Sequence, residues 1–138
     1  MPSPMVLVPT LLALQFAVFG WRIAREISVE EKGRRTWLFL SDYLNFCAML
    51  AVVAVCIVIP IREGVFSRLS EAVLGGAYVL VAFTPVMIAG HYRLFSRFGR
   101  TIYAGQGRDV PWLTDQEIFV LIVALCATTV TVWAIYAR

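Results

Sequence analysis

Charge is nearly absent from four long stretches of the chain, and these stretches set the expected fold. No charged residue falls between Met5 and Trp21, between Ala72 and Gly90, or between Ile118 and Ala137. Between Trp37 and Ile61 the only one is Asp42. A helix rises about 1.5 Å per residue, so about 20 apolar residues cross the ~30 Å hydrocarbon layer of a bilayer. The pattern predicts an all-α fold: an integral membrane four-helix bundle forming one domain over residues 1–138. Its spans are expected near residues 5–24, 37–61, 72–91 and 117–137.

Local signals refine the ends. Pro2, Pro4 and Pro9 crowd the start of the first stretch, which predicts a helix beginning near Pro9. Its positive residues follow the apolar run rather than precede it, the pattern of a retained span and not of a secretory signal. Thr114 and Glu117 have the spacing of a capping box before the fourth span, and Ser67 and Ser70 offer N-cap choices before the third.

The longest connection runs from His91 to Glu117. Within it, Tyr92–Tyr103 places Leu94, Phe95, Phe98 and Ile102 near one helical face. Arg93, Arg97 and Arg100 lie toward the other. This predicts a short interfacial amphipathic helix between spans three and four, with the three arginines contacting lipid headgroups. Gly105, Gly107 and Pro111 end it.

Composition agrees with lipid as the main solvent. Apolar residues make up 60% of the chain and charged residues 15%, and the mean hydropathy is +0.79. Soluble domains have roughly 45–50% and about 25%. The net charge of +3 does not indicate a nucleic-acid partner, because the basic residues flank apolar spans. Arg22, Arg25, Lys32, Arg34, Arg35, Arg93, Arg97, Arg100 and Arg108 fall in the first and third connections. Only Arg62, Arg68 and Arg138 fall on the other side. The positive-inside rule then places the nine-charge side in the cytoplasm and both termini outside, in a bacterial-type inner (plasma) membrane.

Polar residues inside apolar spans need a partner or a wet cavity. Ser41, Asp42 and Asn45 fall within about 100° of one another on a 3.6-residue helix. The expected topology brings Gln15, Arg22, Ser41, Asp42, Asn45 and His91 to one half of the bundle. Two readings follow. Asp42 pairs with Arg22, Arg25 or a loop arginine while the amides bridge helices, or Asp42 and His91 build a ligand or proton-handling site. Ala72, Gly75 and Gly76 allow close helix approach, within the bundle or against a second protomer.

The chemistry of known enzyme sites is missing from the pattern. Cys47, Cys56 and Cys126 lie in apolar runs without a C-x-x-C pair, and His91 is the only histidine, too few for a bis-His haem or a catalytic zinc site. No metal or cofactor is assigned. The function expected from these features is a non-enzymatic membrane subunit that assembles with itself or with a larger membrane complex. The alternative is a small oligomeric transporter or channel. A third class, a membrane enzyme or quinone-site subunit, would use Asp42 and His91.

Overall fold

The computed structural model describes residues 3–30, 38–95 and 113–138, and these are all-α. Four helices are long and apolar enough to cross a membrane: Pro4–Ser28, Leu40–Glu63, Arg68–His91 and Asp115–Tyr136. Each packs against the preceding one in the opposite direction.

Helix α1 (Pro4–Glu30) starts one and a half turns before the expected Pro9 and carries that proline inside it. Pro9 removes one N–H, whose acceptor would be the carbonyl of Met5, a residue 88% exposed at the helix start. The lost bond lies where the helix is open to its surroundings, and the helix continues. At its other end α1 runs past Trp21, so Arg22, Arg25 and Glu26 are helical residues rather than a loop.

The second of these helices has three parts: α2 (Leu40–Val53), a π-helical turn (Ala54–Val58) and α3 (Ile59–Glu63). Pro60 accounts for the wide turn. A proline ring clashes with the carbonyl four residues back, here Cys56, and has no N–H to give it. Widening the turn sends the Ile59 N–H to the Ala54 carbonyl. The Val55 carbonyl is then left without a helical donor, and the buried Ser70 hydroxyl of the next helix donates to it at 2.9 Å. Gly64, at φ +73°, closes the span in the left-handed conformation.

Helix α4 (Arg68–His91) begins a turn before the expected residue 72. Ser67 is its N-cap, accepting from the Ser70 N–H at 3.2 Å. Its C-terminus is a Schellman closure: Arg93 N–H donates to the Gly90 carbonyl at 2.9 Å and Leu94 N–H to the Ala89 carbonyl at 3.0 Å. Arg93 takes the left-handed conformation, φ +51°, usually given to glycine. The amphipathic helix expected from Tyr92 therefore does not begin there, since residues 92–95 are turns. The rest of that segment, with Arg97, Arg100, Gly105, Gly107 and Pro111, lies outside the described residues.

Helix α5 (Asp115–Tyr136) lies close against α4 along its length because α4 carries glycines where α5 is bulky. A β-carbon on Gly75 would sit 2.5 Å from Ile135 Cδ1, and one on Gly76 would sit 2.7 Å from Val132 Cγ2. At the other end of α4, a β-carbon on Gly90 would lie 3.1 Å from the Gln116–Glu117 backbone. Two apolar clusters fill the interior. Val8, Leu11, Val52, Cys56, Leu74 and Ala77 join α1, the second span and α4 near the chain termini. Met87, Val120, Leu121 and Ala124 join α4 and α5 at the opposite end, with Leu40 and Leu44 of α2 against them. The outward faces are apolar too, as at Phe119 (69% exposed) and Trp133 (71%).

Candidate functional site

A layer of buried polar groups joins all four helices at the end away from the termini. The helices that start there, α2 and α5, contribute acids from their first turns, Asp42 and Glu117. Those that end there, α1 and α4, contribute Arg22 and His91. Asp42 and Glu117 in first turns and His91 in a last turn also suit the helix dipoles, whereas Arg22 lies two turns before the end of α1.

Arg22 is fully buried. Its Nε donates to Asp42 Oδ1 at 3.1 Å and its Nη2 to Asp42 Oδ2 at 3.1 Å, a two-pronged pair between α1 and α2. Glu26, one turn further along α1, holds Nη1 at 3.0 Å. Asp42 has a local duty as well: Oδ2 accepts the Phe39 N–H at 3.0 Å, capping the start of α2. An arginine–carboxylate pair in a low-dielectric interior is tolerated when geometry is good and remaining acceptors are satisfied, and Asp42 meets both conditions.

His91 and Glu117 form the second half. Nδ1 of His91 and Oε2 of Glu117 lie 2.6 Å apart, and neither residue is exposed. The Ser41 hydroxyl reaches Glu117 Oε1 at a long 3.5 Å, tying α2 to the pair. Thr114 positions the acid. Its hydroxyl accepts the Glu117 N–H at 3.1 Å and donates to the Gly90 carbonyl at 2.8 Å. Thr114 is the N-cap, as its spacing from Glu117 predicts, but the Glu117 carboxylate turns to His91 instead of closing a capping box.

Phe39 connects the two halves. Its ring stacks on the His91 imidazole with centroids 3.3 Å apart and planes 20° from parallel, and the Arg22 guanidinium carbon lies 4.1 Å from the same centroid. Two groups this close to one ring must occupy opposite faces, so Phe39 lies between cation and imidazole. Tyr92 meets the rings of Phe39 and His91 edge-on and carries Arg25 over its own face at 4.3 Å.

All six residues placed together by topology are buried, but they form separate contacts. Arg22 and Asp42 are one pair, and Ser41 and His91 converge on Glu117. Gln15 and Asn45 stand apart: Asn45 Nδ2 reaches the Gln15 backbone carbonyl at 3.5 Å. The Gln15 amide nitrogen and oxygen and the Asn45 oxygen have no hydrogen-bond partner among the described residues. Sequence reasoning missed Phe39, and it read Glu117 only as a cap. The available signal was depth, since both residues open a span at the level of His91.

The remaining assignments fall elsewhere. Arg22 lies within α1 rather than in the first connection and pairs inward with Asp42. Arg93 pairs with Asp115 at 2.9 Å, while Arg97 and Arg100 lie outside the described residues. Ala72 is fully buried, and Gly75 and Gly76 face α5. Thr129 and Thr131 donate back to their own helix at 2.8 Å.

The layer can bind four helix ends in one register. Its acids, bases and rings face one another and are buried among the described residues. Protein-family models, curated proteins and solved structures contain no match to the chain.

Proposed function

We propose that this chain is a non-enzymatic membrane subunit, a four-span module that assembles with itself or with a larger membrane complex. The observation that carries the reading is the pairing of both buried carboxylates of the layer with bases of the neighbouring helices. Asp42 is occupied by Arg22 and its own helix cap, and Glu117 by His91 and Ser41. A reaction centre needs at least one such group presented to a substrate. Here the polar layer acts as a lock on helix register, which leaves the apolar outer faces for lipid and for protein neighbours. In this reading both termini face outward across a bacterial-type inner membrane, with the basic connections in the cytoplasm.

The second reading, a small oligomeric transporter or channel, draws on one feature. Glu26, Arg22 and Gln15 form a polar stripe on α1 that spans about 16 Å at the helical rise. Beyond Gln15 the interior is filled by Val8, Leu11, Val52 and Cys56, a dry plug that disfavours passage through one copy of the bundle.

Extraction from its own membranes in mild detergent tests the first reading. The expected result is a partner in fixed stoichiometry or a discrete homo-oligomer. A homo-oligomer of this chain alone that moves ions or a small solute in reconstituted vesicles would establish the second reading instead.

A further inference from the structure

The end of the bundle opposite the polar layer holds a groove between α1 and α5, floored by α4. Its origin lies in the side chains of α4. Gly75 and Gly76 draw α5 close, whereas Tyr78 stands between α4 and α1, its hydroxyl donating to the Leu7 carbonyl at 2.8 Å. The space left open has a volume of about 920 Å³. Leu7, Leu74, Tyr78 and Ile135 form its walls, and Arg68, Glu71 and Arg138 its rim.

We propose that this groove holds an acyl chain of one anionic phospholipid, whose headgroup contacts Arg68 and Arg138. Depth favours a lipid chain over a partner helix. From Arg68 to Tyr78 the groove follows α4 for ten residues, about 15 Å, or one leaflet of a ~30 Å hydrocarbon layer. A transmembrane partner would need a groove of twice that length. Charge selects the headgroup. Arg22, Arg25 and Arg93 are all ion-paired, whereas Arg68 and Arg138 have no ion-pair partner among the described residues. Two guanidinium groups with no ion-pair partner among the described residues thus stand beside an apolar slot, with the Glu71 carboxylate on the same rim. This inference needs the chain to sit in a bilayer but does not depend on its being a subunit.

The test is native mass spectrometry of the full chain in mild detergent with equal amounts of phosphatidylglycerol and phosphatidylcholine bearing the same acyl chains. One retained phosphatidylglycerol is expected, preferred about fivefold per arginine, the equivalent of about 1 kcal/mol for each surface cation. The R68Q/R138Q double variant should bring the two lipids to near parity. R62Q, a change at the same end but outside the groove, should keep the preference. Leu7→Trp, which fills the slot, should lower retention of both lipids. Equal retention by the unaltered chain overturns the proposal. So does a preference that survives R68Q/R138Q, or one that R62Q abolishes equally. The rim arginines are exposed, so their replacement leaves the fold intact, and they decide the matter if Leu7→Trp fails to fold.

Discussion

His91 Nδ1 and Glu117 Oε2 lie 2.6 Å apart at zero exposure, linking the last residue of one helix to the first turn of the next across a connection of more than twenty residues. The contact fixes the height of α5 against α4 more tightly than apolar packing does, because a hydrogen bond has direction. His91→Ala and Glu117→Ala should each destabilise the bundle. The double variant should lose less than the sum, with a coupling of about 1–3 kcal/mol. Glu117→Gln, which keeps an acceptor oxygen, should cost less than Glu117→Ala. Reversible unfolding in mixed micelles followed by circular dichroism measures all four variants. Additive losses would mean the contact contributes nothing to stability.

Removing one member of the Arg22–Asp42 pair should be worse than removing both. Asp42→Leu strands a guanidinium with Glu26 alone and also uncaps α2, at a cost of about 3–5 kcal/mol. Arg22→Met with Asp42→Leu should recover part of that loss, because no uncompensated charge remains. The Phe39 cap bond stays lost, so full recovery is not expected. Thermal unfolding of the three proteins in one detergent gives the comparison.

The Ser70 hydroxyl answers a carbonyl freed by Pro60. Ser70→Ala should cost about 1–2 kcal/mol by leaving the Val55 carbonyl unbonded in an apolar interior. Pro60→Ala restores a backbone N–H to the same turn. Added to Ser70→Ala it should return part of the stability, so the pair is less damaging than its parts predict. A fully additive double variant would separate the serine from the π-turn.

Close approach of α4 and α5 rests on residues without side chains. Gly76→Leu must displace Val132 and Thr128, and Gly90→Ala presses on the Gln116–Glu117 backbone. Overpacking of this kind costs about 1–3 kcal/mol. Gly90→Ala should also shift the Thr114 cap, because Thr114 bonds the Gly90 carbonyl. Cysteine cross-linking between the ends of α4 and α5 should become less efficient in both variants, and more so in Gly76→Leu.

Gln15 points the other way. Its side chain is fully buried, and both amide atoms lack a hydrogen-bond partner among the described residues. Gln15→Leu removes two unmet polar groups and should be neutral or stabilising by about 1 kcal/mol. A marked loss of stability on that change would reveal a bound water or ligand that the amide serves.

Much of the architecture was legible before any coordinates. Nearly charge-free runs of helix-spanning length predict four helices, and the structure has four long and apolar enough for a bilayer. Alternating direction then carried Arg22, Asp42 and His91 to one end. Boundaries were less legible. Pro9 reads as a start because its missing N–H is a local fact, yet its effect depends on where the orphan carbonyl points. The sequence at Tyr92–Phe95 predicts helix because the apolar spacing continues, while Arg93 in the left-handed conformation is a closure that spacing does not encode.

Hydropathy and helix geometry determine length, number and depth, since these depend on the solvent and on a fixed rise per residue. Partnership is different, because it depends on rotation and on sub-ångström approach. The tertiary structure alone decided that Glu117 meets His91 instead of closing its own cap. It alone placed Phe39 between an arginine and an imidazole, and left Gln15 and Asn45 outside both pairs. Gly90 explains why: a β-carbon there would reach the backbone of Gln116 and Glu117, so the absence of one side chain sets the distance at which the acid and the imidazole meet.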